Sequence, residues 1–260
     1  MVAPHSMDAP TVDPLALSDG PIVNVTGSGG DYSSEQLVGN RTWGAPTTIW
    51  DFRAPDGTTF FSPGDVIGAA GSDGTAAVVW SLATGGSQIL RAAVETTGGA
   101  WGPASTLSTT PGSQASSAYQ IVGDSYGGFT VVAALRSRLA AYTLRSNTDS
   151  WTTQSVLPSF SDEDPFDVVA GPGGQTAVVF ERSAAGAGQV LMTIQQTPGG
   201  AWSKPVTLTR DAVPDKNDFT TGVLPNDEND DFAATATRRR VVVTWVTATG
   251  EDLGSAAVRW

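Results

Sequence analysis

The sequence predicts an all-β fold, a five-bladed β-propeller of four-stranded antiparallel blades whose last blade is completed by the N-terminal strand. Three observations point there. Trp43, Trp101, Trp151, Trp202 and Trp260 recur every 50 to 58 residues, most of them behind Gly or polar turn residues. Apolar blocks of strand length recur at the same period: Ile22–Val25, Ala76–Trp80, Phe129–Ala134, Ala177–Phe180 and Val241–Val246. Gly, Asp and Ser clusters break the chain at strand-sized spacing, and no stretch has helical periodicity. A repeat of this length holding four short strands is the pattern of a radial β array.

The clearest repeat is Asp65–Leu107. Val66–Ala70, Ala76–Trp80, Gln88–Glu95 and Pro103–Leu107 read as strands, separated by Gly71-Ser72-Asp73-Gly74, Gly85-Gly86-Ser87 and Gly98-Gly99. Each break has a chemical reason to turn, since Gly takes positive φ and Asp or Ser bonds its own backbone. The other repeats fall near 13–50, 119–157, 164–208 and 231–260, in one domain spanning 1–260 with residues 1–7 as a tail. Continuous apolar blocks predict second strands buried on both faces. Pro46, Pro103 and Pro205 follow repeat tryptophans and mark the outermost strand, because a mid-strand Pro is tolerated only at a sheet edge. The fifth repeat stops at Trp260, before a fourth strand. Ala9-Pro10-Thr11 matches Ala45-Pro46-Thr47, so residues 8–12 are expected to supply that strand and cover an otherwise open edge.

Composition narrows the chemistry. With 260 residues the chain can bury one sizeable core. It has no cysteine, which excludes disulfides, thiolate nucleophiles and zinc–sulfur sites. Its single histidine, His5, lies in the polar tail, a poor place for a catalytic triad or a zinc motif. A net charge of −12 and a pI near 4.3 argue against nucleic acid or an anionic membrane surface as a partner. No apolar run is long enough to span a membrane, and the first ten residues lack a signal peptide's charged and apolar regions.

The connections at 51–64 and 209–230 are long, and loops above about 12 residues usually carry a role. They leave the sheets on the same face as the second-to-third loops, which makes that face the expected ligand face. Trp50, Asp51, Arg53, Phe60, Phe61, Asp215 and Asp218 are its candidate ligand-binding residues. Aromatics beside charges can grip a ligand, and can equally anchor the loop as a small core. With only oxygen donors, the acidic loops suit Ca²⁺ if any metal. The Gly and distal Glu of an EF-hand loop are missing, so these charges read as a solvated face and no metal or cofactor is assigned. Glu181 ends a buried second strand; in a hydrolase it would act with Asp51 or Asp167, since glycoside hydrolysis needs two carboxylates. Arg238-Arg239-Arg240 reads as a local partner for Asp230 and Asp231 rather than a phosphate site. The repeat tryptophans read as latches, and Trp80, Phe180 and Trp245 as packing between blades.

On the second strands ending in Trp80 and Phe180, and on the GGAW turns at 98–101 and 199–202 followed by a Pro-containing strand, the chain resembles bacterial secreted propeller proteins of the sialidase-like, Asp-box kind. The boxes are degenerate. Gly98 and Gly199 match the pattern S-x-D-x-G-x-x-W, but Thr96 and Thr197 occupy the Asp position and Val94 that of Ser. The arginine cluster and acidic partner of a sialidase cannot be mapped. Asp13-Pro14 is similar to the early Asp of five-bladed arabinanase-type glycosidases, although Asp65 and Asp164 hold the same place in other repeats and mark it as a turn residue. The Lys-poor, Ala/Gly/Thr/Arg-rich composition resembles that of secreted proteins, which makes the expected location extracellular. The expected function is non-catalytic, lectin-like binding of a carbohydrate or small neutral ligand by a monomer, through the face bearing 51–64 and 209–230. Five-bladed tachylectin-type lectins are an architectural analogy for it. The rival is a sialidase-like or arabinanase-like glycoside hydrolase with paired carboxylates in the central funnel. A third reading is a structural module of a larger secreted protein.

Overall fold

The computed structural model describes residues 23–28, 31–38, 42–43, 47–51, 63–71, 73–84, 87–95, 100–111, 118–146, 148, 150–160, 165–184, 187–195, 197–212, 232–247 and 253–260. Side chains are described from Val66 onward, apart from 83–84, 111, 183–184, 187–188 and 211. Every element among these residues is a β-strand, and every pairing is antiparallel.

The repeat read at Asp65–Leu107 is a four-stranded sheet of β5 (Pro63–Ala70), β6 (Ala76–Thr84), β7 (Ser87–Glu95) and β8 (Ser105–Pro111), in chain order. The next repeat gives β9 (Tyr119–Gly123), β10 (Phe129–Leu135), β11 (Arg138–Leu144) and β12 (Thr152–Leu157). The one after gives β13 (Phe166–Ala170), β14 (Thr176–Ala184), β15 (Ala187–Gln195) and β16 (Val206–Ala212). A three-stranded sheet follows: β17 (Phe232–Ala236), β18 (Arg240–Val246) and β19 (Leu253–Arg259). At the N-terminal side β1 (Val23–Ser28), β2 (Asp31–Val38), β3 (Thr42–Trp43) and β4 (Thr47–Asp51) form one further sheet. There Trp43 pairs with Leu37 as Trp101 pairs with Glu95 and Trp202 with Gln195. That register makes β2 a third strand and β1 a second strand. The start of the repeat expected near 13–50 and the closing strand expected at 8–12 lie outside the described residues.

Repetition extends to defects in the ladder. The register shifts between the third and outer strands at Tyr32/Ser33, Leu90/Arg91, Leu139/Ala140 and Val190/Leu191. Each shift lies five residues before the third-strand residue that ends its ladder with the second strand in the last three sheets (Glu95, Leu144 and Gln195). A bulge there adds local twist to the outer part of each sheet. The prolines do not sit inside the outer strands as expected. β4, β8 and β16 begin after Pro46, Pro103 and Pro205, because a residue without an N–H delays the start of the ladder.

Sheets stack face to face, with β5, β9, β13 and β17 touching in succession. Cores fill the seams between them. Ala77, Val79 and Leu90 meet Tyr119, Ile121, Val131 and Tyr142 in one seam. Val132, Leu139 and Val156 meet Phe166, Val178 and Phe180 in the next, where Phe160 packs edge-to-face on both phenylalanines at 6.0 and 6.1 Å. Val179, Val190 and Met192 meet Phe232, Val243 and Trp245 in the third. Second strands packed between two sheets are buried on both faces, as expected: all of β10 and residues 76–82 of β6. The block Val241–Val246 departs from that expectation. Val241, Val243 and Trp245 are buried against β13–β16, whereas Thr244 and its neighbours Ala233 and Thr235 are exposed on the other face. Trp80, Phe180 and Trp245 occupy one equivalent position and are buried; Phe180 and Trp245 pack between sheets, and Trp80 clusters with Val66 and Val78 of its own sheet.

Candidate functional site

Three hairpins join first to second strands in the same way. Gly71 N–H donates to Thr75 O, Asp124 N–H to Gly128 O and Gly171 N–H to Gln175 O. The third loop residue is Gly74, Gly127 or Gly174, at φ of 86°, 80° and 76°. A three-residue loop ending in a left-handed residue selects Gly at that point. The fourth hairpin is one residue shorter. Thr237 N–H donates to Arg240 O, and the Thr237 hydroxyl accepts the Arg240 N–H at 3.1 Å, leaving Arg238 and Arg239 as the loop.

These hairpins interlock around the axis. Ser125 Oγ donates to Pro172 O on the next hairpin, and a Cβ on Gly127 would strike the Asp73 carboxylate. The last residue of each first strand is small: Ala70, Gly123, Ala170 and Ala236. A side chain at Gly123 would run into the Ala70 carbonyl, so glycine there lets β5 and β9 approach. Inside the ring lies a solvent-open pit of about 280 Å³, walled by these strand ends together with Asp124, Ser125, Pro172, Thr237 and Arg238. Its volume matches roughly nine waters at about 30 Å³ each, the scale of one sugar ring.

Most polar groups of the pit are already engaged. The Asp124 carboxylate accepts the N–H groups of Tyr126 and Gly128 at 2.7 and 2.8 Å. The Thr237 hydroxyl serves its own turn and donates to Arg240 O. Arg238 is exposed and makes no hydrogen bond or ion pair with a described residue. The expected partners Asp230 and Asp231 lie outside the described residues. Tyr126, next to Ser125 on the rim, is 62% exposed.

Deeper in the seams, the inward edges of the first strands are capped by side chains. Gln120 on β9 donates Nε2–H to Phe166 O and accepts Val168 N–H at Oε1, both at 2.9 Å. Its amide thereby completes the free edge of β13 as a strand would. At the same position of β13, Asp167 accepts Ala234 N–H of β17 at Oδ2 and Val168 N–H at Oδ1, both at 2.8 Å. Burial pushes its carboxyl above the usual carboxylate range, against the pull of those two N–H donors. Glu181 is buried in β14 and its N–H donates to Pro165 O. Because Asp167 pairs with Val179, Glu181 is its diagonal neighbour on the same face, a separation of about 7–8 Å.

Of the candidates read from sequence, Trp50 and Asp51 end β4, opposite Tyr32 and Asp31. Arg53, Phe60, Phe61, Asp215 and Asp218 lie outside the described residues, as do the acidic stretches weighed for Ca²⁺. On that face the described part is the start of the 158–163 connection, where Arg182 donates to Ser159 O and lies 5.7 Å over the Phe180 ring. A cavity between the second and third full sheets, lined by Ser81, Gln88, Ser108, Thr110 and Tyr119, has about 10 Å³, water-sized and too small for a sugar. Among the described residues no three carboxylate or imidazole side chains cluster as a metal site. Trp101, Trp151 and Trp202 pack half-buried on the seams as latches. Trp260 differs from them. It follows the third strand directly, packs over Gly171 and donates Nε1–H to Thr237 O at 2.9 Å. Sequence reasoning read Arg238 as a local ion-pair partner and did not single out Tyr126; the further readable signal was a hairpin with three arginines where the other three carry Gly.

No protein-family model and no curated protein matches the chain. Solved structures do. An ulvan lyase, a polysaccharide lyase, superposes with TM-score 0.52 at 13% identity over 96% of this chain and 63% of its own. The NanB sialidase of Streptococcus pneumoniae gives 0.53 at 9% identity over 96% and 61%. The six-bladed fucose-recognising lectin of Aleuria aurantia, a fungal lectin, gives 0.52 at 10% identity over 96% and 78%. The fold is that of a β-propeller. The chain spans under two thirds of the lyase and sialidase chains, and at these identities the likeness is one of architecture. No helix among the described residues is long and apolar enough to cross a membrane.

Proposed function

We propose that this protein is a non-catalytic, carbohydrate-recognising propeller. The observation that carries the reading is the axial pit: it has the volume of one sugar ring, opens to solvent, and its one described carboxylate, Asp124, is held by two backbone N–H groups. Hydrolysis of a glycosidic bond needs two carboxylates flanking it, and the described lining offers one that is already engaged. Similar folds in a lectin, a sialidase and a lyase support carbohydrate as the ligand class. The face bearing 51–64 and 209–230, with Trp50, Asp51, Arg53, Phe60, Phe61, Asp215 and Asp218, is proposed as a second contact zone. A glycan array run beside a reducing-sugar assay tests the reading. Binding without turnover is the expected result; silence on both would leave a structural module of a secreted assembly.

One observation favours the hydrolase alternative: Glu181 and Asp167 are diagonal neighbours on one face of one sheet, which brings two carboxylates to the same side. Sugar release that Glu181→Gln abolishes, with folding intact, would establish it over the lectin reading.

The architecture proposed with this function is a ring of five blades closed by residues 8–12 against β19. The supporting observation is the three-stranded sheet itself, whose outer strand alternates exposed and half-buried residues and leaves Leu253 80% exposed. Deleting residues 1–12 should lower the melting temperature by about 4–8 °C or more. An unchanged transition would remove the closure.

A further inference from the structure

We infer that the axial pit takes a carboxylate-bearing sugar unit, held through the Arg238 guanidinium; this rests on the carbohydrate reading above and narrows it to a ligand class. The argument is one of remaining valence. Ser125 Oγ donates its hydrogen to Pro172 O, Thr237 Oγ1 serves its own turn, and Asp124 Oδ1 accepts the Tyr126 and Gly128 N–H groups, so that Asp124 can offer a ligand only an acceptor oxygen. Among the described lining residues Arg238 is the side chain left with free donors, five N–H groups on a fixed positive charge. A planar fork of donors matches a carboxylate with two parallel bonds.

The hairpins explain why the charge sits on one side. Two glycine-containing loops, at 124–128 and 171–175, reach the pit, and among the described hairpins the Thr237–Arg240 loop, shortened by one residue, presents an arginine to it. The rest of the wall is Ala70, Gly123, Ala170, Gly171, Pro172 and Ala236, apolar or bare backbone that can lie against a ring face. Tyr126 stands exposed beside Ser125, where an aromatic face can carry a neighbouring sugar. A net charge of −12 predicts neutral or cationic ligands for the molecule as a whole. Within a few ångströms of Arg238 the local charge decides, because screening confines long-range terms to about 8–10 Å.

The test measures binding of glucuronate, glucose and inorganic sulfate to the full chain by calorimetry or ligand-observed NMR, with Arg238→Gln, Arg238→Lys and Tyr126→Ala. The expected pattern is preference for glucuronate over both other probes, a loss of about tenfold or more in Arg238→Gln, and incomplete rescue by lysine, which keeps the charge but not the fork. Arg238 lies on an exposed turn, so an unchanged melting temperature shows that the variants are folded. Equal binding of glucose and glucuronate, indifferent to Arg238→Gln, overturns the inference and leaves the carbohydrate reading standing. Sulfate matching glucuronate reduces the pit to a simple anion site and also overturns it. Failure of every probe, with a silent glycan array, removes both.

Discussion

Gln120 and Asp167 hold the same place in successive first strands and reach across to the same inward edge, yet one does so with a neutral amide and the other with a carboxylate. The amide has a donor and an acceptor, so it satisfies a carbonyl and an N–H of β13 together. The carboxylate can only accept; it takes Ala234 N–H and turns its other oxygen back on its own strand. A third joint, between β5 and β9, has Ile67 at this position and relies on backbone approach at Gly123. The comparison teaches that the inner edges of a propeller can be closed by side chains, and that the closing group need not suit neutral pH.

Breaking the amide joint should have the largest effect. Gln120→Ala leaves Phe166 O unpaired in a buried seam and Val168 N–H with only its Asp167 Oδ1 bond, a loss of about 1–3 kcal/mol for the orphaned carbonyl plus the packing of the lost side chain. Urea unfolding measures it, and a loss below about 1 kcal/mol would mean that water replaces the amide freely. Asp167→Ala should cost less, about 1–2 kcal/mol, because it orphans one N–H of β17 while removing a desolvated charge. If the two alanine variants lose the same amount, the distinction between the joints fails.

Asp167→Gln sharpens the contrast by installing the Gln120 chemistry at the second joint. It should unfold at a higher temperature than Asp167→Ala at pH 7, with Phe232 O the carbonyl equivalent to Phe166 O; a melting temperature no higher than that of the alanine variant would show that the geometry does not transfer. The smallest effect is on pH dependence. A carboxyl raised on folding contributes its stability below the ordinary carboxylate pKa and loses it as pH rises through the folded value. The wild type should therefore lose stability relative to Asp167→Gln as pH rises above the ordinary carboxylate value of about 4. The opposite slope would mean that the N–H bonds outweigh burial.

Much of this fold was legible before any tertiary contact. Strand-length apolar blocks and Gly-marked turns placed β5 to β18 closely, since an alternation of β-branched residues with breakers leaves little freedom. Trp80, Phe180 and Trp245 were readable as packing because their period is that of the repeat. Trp260 was not distinguishable from the latch tryptophans by spacing alone; its register, two residues past the third strand's last equivalent pair, assigns it to the Gly171 hairpin instead. The roles of Gln120 and Asp167 were equally hidden, because both bonds join residues 46 to 67 positions apart.

By itself the sequence determined the repeat, the apolar second-strand blocks and the absence of thiol chemistry, because periodicity and composition are local properties of the chain. Only the tertiary structure decided which polar groups remain free. Asp124, Ser125, Thr237 and Arg238 look alike as turn residues in one dimension. The interlocked hairpins engage Ser125, Thr237 and one oxygen of Asp124 and leave the guanidinium donors free at the pit, since hydrogen-bonding capacity is settled by neighbours in space.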